Sequence, residues 1–453
     1  MKKIYVVHCI DSEGPLHESL EATFERIKHI YHLELEPTKK NLQDLQEGKI
    51  NLDGIEDSVK MTLNPHLLNY NNTWDKVENM LQDCLSPDFR NKFKDSTGNG
   101  WIYNWHCVDH VDYEINPRRR DMGYHSIFDE YKRILKYTDS SQDGFQFHYH
   151  PHPMLKHAHL CATRWLGPTD KLFQVLSRRI IDRNWFPAVN RPGFQVNRPD
   201  SHWFLEQFIP FDYATLSMEP SKEDSQQFDF SAGRSGDWRR APITWEPYHP
   251  DHDDYQKIGN CRRIIARCLN IGTRAYLMDE KEVRRAFDES RQNKNVILSF
   301  ANHDFRDLRV DVVEAHRLLT KVSKDYEDVE FIYCEGVDAM RKAMKLEKKS
   351  KCELSLEINK NSENAHTLKI VSSSPTFGPQ PFFAIKTVTG QYFHDNLDFQ
   401  SPFKEWSYTF DEETMPLHAI ESIGVATNNS YGITSVSKMD VAKNLIKNTY
   451  YNE

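Results

Sequence analysis

Apolar runs of strand length alternate with longer amphipathic segments over the first three quarters of the chain. Residues 3–10 are rich in Ile, Val and Tyr and end at Asp-Ser-Glu-Gly-Pro, which reads as a buried strand running into a loop. From about 16 to 100 the sequence is polar, Asn- and Glu-rich and helical in places, with Trp74, Val77 and Leu81 at helix spacing; this predicts an insertion or cap. Residues 101–108 predict a second strand, followed by a loop with Asp109, His110 and the basic run Arg118, Arg119, Arg120. Such a run is usually solvated, although it can meet an anionic substrate. Residues 145–150 alternate as a strand does, and Thr169 and Asp170 are placed to cap a helix whose Leu172, Val175, Leu176 and Ile180 share one face. Further strands are expected at 186–190, 211–216, 296–301 and 329–333, with helices at 201–208 and along the stripe Val312, Ala315, Leu319, Val322. Strand and helix in alternation predict an α/β fold with a parallel barrel or sheet.

The period changes after the Lys/Glu-rich stretch 342–351. Leu354, Leu356 and Ile358, then Leu368 and Ile370, then Trp406, Tyr408 and Phe410 repeat every second residue between Gly, Pro, Asn and Ser. Residues 352–453 therefore predict a small β-sandwich, with 441–447 as a final helix.

Composition narrows the function classes. A chain of 453 residues exceeds what one core organises, so two domains are expected. With 58 Lys+Arg against 67 Asp+Glu and a net charge of -9, no broad basic face suggests nucleic acid as a partner. The apolar start is cut short by Asp11 and Glu13, which argues against a signal peptide, and no window approaches the ~18 apolar residues of a membrane span. The cytoplasm is the expected compartment, and the eight scattered cysteines, without a CxxC pair, read as reduced thiols. Aromatic content of 12% suits sugar stacking and core packing equally, so it does not discriminate.

Parallel α/β folds gather active groups at the C-terminal ends of their strands. Three polar clusters stand where that rule puts them: Asp11 with Glu13, the run His148-Tyr149-His150-Pro151-His152, and His303 with Asp304. Asp11 and Glu13, two apart, point the same way from an extended backbone, although Asp11 or Ser12 can equally cap a turn. The His run is close to His157 and His159, and imidazoles at this density with one carboxylate make the three-ligand site of hydrolytic zinc enzymes; surface or core histidines are the alternative. Arg191, in Arg191-Pro192-Gly193-Phe194, can reach the same rim and brace a carboxylate. His303 can protonate a leaving amine, with Asp304 or another acid tuning its basicity.

In this order the residues resemble the polysaccharide deacetylase (NodB-like, carbohydrate esterase) family over about residues 3–340. The resemblance implies a distorted (β/α) barrel of about seven strands, here residues 1–345 with 16–100 inserted, followed by the β-sandwich. It implies that Asp11 is the catalytic base and Glu13 a metal ligand, that His148 and His152 complete the site as the family's His-x-x-x-His pair, that Arg191 orients the base, and that His303 is the acid. His150 stays an alternative ligand, since His148 and His150 would share one side of a strand. A loose match of the family's tryptophan motif to Gly236-Asp237-Trp238-Arg239 makes Asp237 and Trp238 candidate pocket residues. The departures are Asp-Ser-Glu in place of adjacent acids and the long stretch between the first two motifs. The implied activity is metal-dependent removal of an acetyl group from an N-acetylated sugar, with Zn²⁺ or a similar divalent ion as cofactor and a carbohydrate or sugar-nucleotide precursor of a surface glycan as substrate. A carbohydrate-binding or assembly protein without turnover, or another C–N hydrolase on the same barrel, are the other readings.

Overall fold

The computed structural model describes residues 2–167, 170–219, 236–273 and 275–453. Seven parallel strands close a barrel: β1 (Lys2–Ser12), β2 (Tyr103–Cys107), β3 (Gly144–Tyr149), β4 (Val189–Pro192), β5 (Phe211–Thr215), β6 (Ile264–Asn270) and β7 (Val296–His303), with β7 returning to β1. Their near-continuous burial follows from helices covering the outer face and side chains filling the inner one. An eighth strand, β8 (Val329–Tyr333), pairs with residues Lys2 to Val6 of β1, while β2 pairs with His8 to Ser12 along the same edge. The first strand is thereby shared among three neighbours, and the ring is split at its N-terminal end.

Several boundaries differ from the expectation. β6 lies outside the expected strands because Arg267 interrupts its apolar run; Arg267 is in fact buried, donating to Ser217 O at 2.6 Å and to Glu282 at 2.5 Å. β4 begins later than the expected 186–190, so Arg191 lies within the strand rather than in a turn after it. β7 runs on to His303. Thr169 lies outside the described residues, and Asp170 precedes the helix Lys171–Arg183 without a side-chain capping bond.

Between β1 and β2 the chain forms helices including Leu20–Tyr31, Glu56–Thr62 and Trp74–Leu85. The first and last are capped by Ser19 and Thr73, whose hydroxyls accept backbone N–H groups of Ala22 and Lys76. Trp74–Leu85 packs Val77, Met80, Leu81 and Cys84 into the barrel's outer core, whereas the Leu20–Tyr31 helix builds a small core of its own with Leu45 and Val59.

After the helix Gly336–Ala343 come two antiparallel sheets. One holds β9 (Leu354–Lys360), β10 (His366–Ser372), β13 (Asp398–Ser401) and β14 (Glu405–Phe410); the other holds β11 (Phe382–Thr387), β12 (Tyr392–Asp395), β15 (Ile420–Asn428), β16 (Thr434–Asp440) and β17 (Leu445–Tyr451). The period-two residues Leu354, Leu356, Leu368, Ile370, Trp406, Tyr408 and Phe410 meet Phe383, Ile385, Ile423, Val425 and Met439 in one apolar layer. The expected helix at 441–447 is instead a turn and the start of β17. Asn444 takes a positive φ of 49° there, so that the chain turns back and Leu445 pairs with Asp440. The opposite face of the five-stranded sheet, with Phe382, Ala384, Ala426 and Val436, covers Leu172, Val175, Leu176 and Ile180 of the Lys171–Arg183 helix. Burying each such side chain contributes roughly 1.5–3 kcal/mol.

Candidate metal and hydrolytic centre

The site forms at the C-terminal rim of the barrel because register brings its strands to one level. Asp11 stands opposite His106 of β2 and His303 of β7, and His148 of β3 stands opposite Arg191 of β4. Glu13 follows β1 by one residue and is held there by Asp304, whose carboxylate accepts the backbone N–H groups of Glu13 at 3.0 Å and Gly14 at 2.8 Å and the Tyr131 hydroxyl at 2.7 Å. Burial raises the Asp304 carboxyl to about 7 against these three bonds. Asp304 thus fixes the loop that carries Glu13; the expected partnership with His303 is replaced by this one.

Asp11 is buried and accepts from Arg191 Nε at 2.6 Å, while Arg191 Nη1 donates to Tyr213 O at 3.1 Å. Burial raises the Asp11 carboxyl, but Arg191, His148 and His303 together hold it down at about 2. It is a carboxylate at neutral pH. His303 Nε2 lies 3.7 Å from Asp11 Oδ2 and 3.8 Å from Glu13 Oε1, on the more open side of the site. Burial lowers this imidazole to about 4 despite both acids.

Glu13, His148 and His150 converge. His150 Nε2 is 3.0 Å from His148 Nε2 and 3.2 Å from Glu13 Oε1, and His148 Nε2 is 3.7 Å from the same oxygen. Donor atoms at bonds of ~2.0–2.1 Å in a tetrahedral zinc site stand about 3.3 Å apart, so this spacing fits such a group. His148 Nδ1–H donates to Arg191 O at 2.7 Å, which fixes the tautomer that aims the Nε2 lone pair at Glu13 and His150. Burial lowers His148, but Asp11 and Glu13 outweigh it and leave the ring above its ordinary value; in His150 burial prevails and the ring is lowered. The other oxygen of Glu13 meets Arg120 Nη2 at 2.7 Å, and Arg120 with His150 holds Glu13 well below the usual carboxylate range against its burial.

His150, rather than His152, therefore completes the group. His148 and His150 lie two apart at the end of β3 and present their rings to one side, as strand parity requires, whereas His152 lies beyond Pro151. His152 is half-buried elsewhere: its ring stacks on Tyr113 at 4.8 Å and its Nε2 bonds Val111 O at 3.1 Å. Asp237 and Trp238 are also outside the pocket. Asp237 pairs with Arg239 at 2.8 Å on the surface, and Trp238 packs edge-on to Tyr255 and donates to Gln195 O at 2.9 Å, bracing the pocket wall from behind.

The cavity measures about 230 Å³ and is bounded by Asp11, Glu13, His148, His150, His303 and the ring of Phe194. The inserted helices close its upper side through Arg26 and Thr62. Sequence reasoning missed Arg26, Phe194 and His106; the last is buried with Nε2 lacking a hydrogen-bond partner. Consecutive positive φ values at Phe194 (52°) and Gln195 (51°) turn the Phe194 side chain inward, and no composition signal announces such a bend. Among the described residues no helix is long and apolar enough to cross a membrane. The chain matches no protein-family model, no curated protein and no solved structure.

Proposed function

We propose that the chain is a metal-dependent hydrolase on a NodB-like barrel, removing an acetyl group from an N-acetylated sugar or glycan precursor as the resemblance to polysaccharide deacetylases implies. One observation carries the reading: a Glu-His-His group of zinc-site spacing shares a cavity with an Arg-braced carboxylate and a further imidazole.

Glu13, His148 and His150 would hold the ion, Zn²⁺ or a similar divalent metal. When bound there, such an ion polarises a carbonyl and acidifies water. Asp11, ionised and fixed by Arg191, accepts the proton of the attacking water. His303, within 3.7 Å of Asp11, is the group nearest to relay that proton to the departing amine. The C–N bond breaks, acetate leaves with the oxygen of water, and the sugar keeps a free amine. Arg120 neutralises one oxygen of Glu13 and leaves the other facing the imidazoles.

Elemental analysis of the purified protein, paired with acetate release from N-acetylated sugars and sugar nucleotides, tests the reading. About one equivalent of metal and release that vanishes with His148→Ala and His150→Ala are expected. Full activity in both variants would end it, and metal without turnover on any substrate would favour a binding role.

A further inference from the structure

One wall of the cavity enters the chemistry above only through the contact of Arg120 with Glu13. Arg26, Arg118, Arg120 and Arg306 face it together with His159. The acids paired with these arginines are Glu13, which meets Arg120, and Glu18, which is shared between Arg26 at 2.9 Å and Arg118 at 3.1 Å. Arg306 acts in addition on the carboxyl of Asp311, so four guanidiniums against three carboxylates leave an excess of positive charge.

The wall is also built, not merely solvated. Arg120 is only 9% exposed, yet its Nε and Nη1 have no hydrogen-bond partner. The spacing of the basic run explains how two of its three members reach inside. Asn116 clamps the turn by accepting the N–H of Arg120 at 2.8 Å and donating to its carbonyl at 2.8 Å, while Arg119 takes a positive φ of 51° and points to solvent. Arg118 Nη1 donates to His159 Nδ1 at 2.8 Å. Guanidinium has no acceptor, so the neutral His159 ring must carry its hydrogen on Nε2, and that buried N–H is unpartnered too. Buried donors without acceptors cost free energy until an acceptor arrives, and these all belong to one side of one cavity.

We propose that this wall is a subsite for an oxyanion, a phosphate or carboxylate, carried by the substrate, so that the centre acts on an anionic acylated amino sugar in preference to a neutral glycan. The substrate class rests on the hydrolase reading; the anion subsite itself does not. Planar guanidiniums suit both anions, and the enclosure by Arg26 of the inserted helices would make the insertion a specificity element.

The test uses the full-length protein stripped of metal with a chelator, so that anions cannot bind an ion instead. Inorganic phosphate and acetate are titrated calorimetrically into the wild type, Arg118→Gln and Arg26→Gln, with melting curves to show that each is folded; should either variant not fold, Arg306→Gln replaces it. Saturable binding of either anion, weakened at least tenfold in the folded variants, is expected; tighter phosphate points to a sugar phosphate and tighter acetate to a sugar acid. No saturable binding, or equal affinity in wild type and variants, would overturn the subsite. Phosphate binding in a protein that releases no acetate would sink the hydrolase reading and leave the subsite. Release from neutral N-acetylglucosamine with KM unchanged in Arg118→Gln would do the reverse.

Discussion

Gly193 packs its backbone against the imidazole of His150 so closely that a β-carbon built on it would lie 2.3 Å from His150 Cδ2. The glycine of the Arg-Pro-Gly sequence is therefore there for space. Arg191, two residues before it, holds the Asp11 carboxylate and, through its carbonyl, the tautomer of His148, so one short segment positions both Asp11 and the Glu-His-His group.

Gly193→Ala should push the His150 ring aside while leaving the barrel intact. Supports of this kind typically change metal affinity 10–100-fold, and a loss in that range is expected. His152→Ala, by contrast, should bind metal as the wild type does. Competition with a chromophoric chelator measures both; equal weakening by the two substitutions would return His152 to the ligand set.

Asp11→Asn should retain metal and lose turnover by about 10²–10⁴-fold, the range for removing a general base. Arg191→Met strands the Asp11 carboxylate in a site that is 2% exposed, and breaking such a pair costs about 3–5 kcal/mol. In the double variant much of that loss should return, because no buried charge is left unpaired. Urea unfolding of the four proteins gives the coupling; additive losses would contradict it.

How much of this was legible beforehand depended on which force decided each feature. The Ile/Val strands, the acids ending β1 and the period-two β region followed from local pattern, and so did the positions of Asp11, Glu13, His148, Arg191 and His303. His150 rather than His152 joins Glu13 and His148 because the two-residue parity of a strand, and not the His-x-x-x-His spacing that the resemblance implies, governs the end of β3. Arg267 hid β6 because its charge is neutralised by Glu282, a residue of the following helix that the text does not mark as its partner. Arg26 and Phe194 reach the cavity only through the docking of the inserted helices and a two-residue left-handed bend, and neither leaves a trace in composition.

Asp311 supplies a pH test away from the centre. It is 5% exposed and accepts from Asn302 Nδ2 at 2.7 Å; burial raises its carboxyl to about 6, against Asn302 and Arg306. A carboxyl raised in the folded state supports folding below its unfolded value near 4, and that support is lost as pH rises through 6. Asp311→Asn should match the wild type near pH 4 and exceed it by roughly 3 kcal/mol at pH 8, on the scale of 1.36 kcal/mol per pKa unit. Denaturant midpoints at pH 4.5, 6 and 8 read the trend, and a gain that does not grow with pH would contradict it.

Gly424 of β15 faces the helix Lys171–Arg183, where an added β-carbon would meet Ile180 Cγ2 at 2.5 Å. Gly424→Val should lower stability by about 1–3 kcal/mol through overpacking, with turnover at low temperature kept. Melting curves and acetate release separate the two effects. An unchanged melting temperature would mean that the contact yields freely.

The same helix raises an issue of timing during synthesis. Its apolar stripe leaves the ribosome some two hundred residues before the strands that cover it, Phe382–Thr387 and Ile420–Asn428. Until those arrive, the nascent barrel carries an open greasy flank beside the loop of its own His cluster, so a stalled or prematurely terminated chain would be prone to stick to its neighbours.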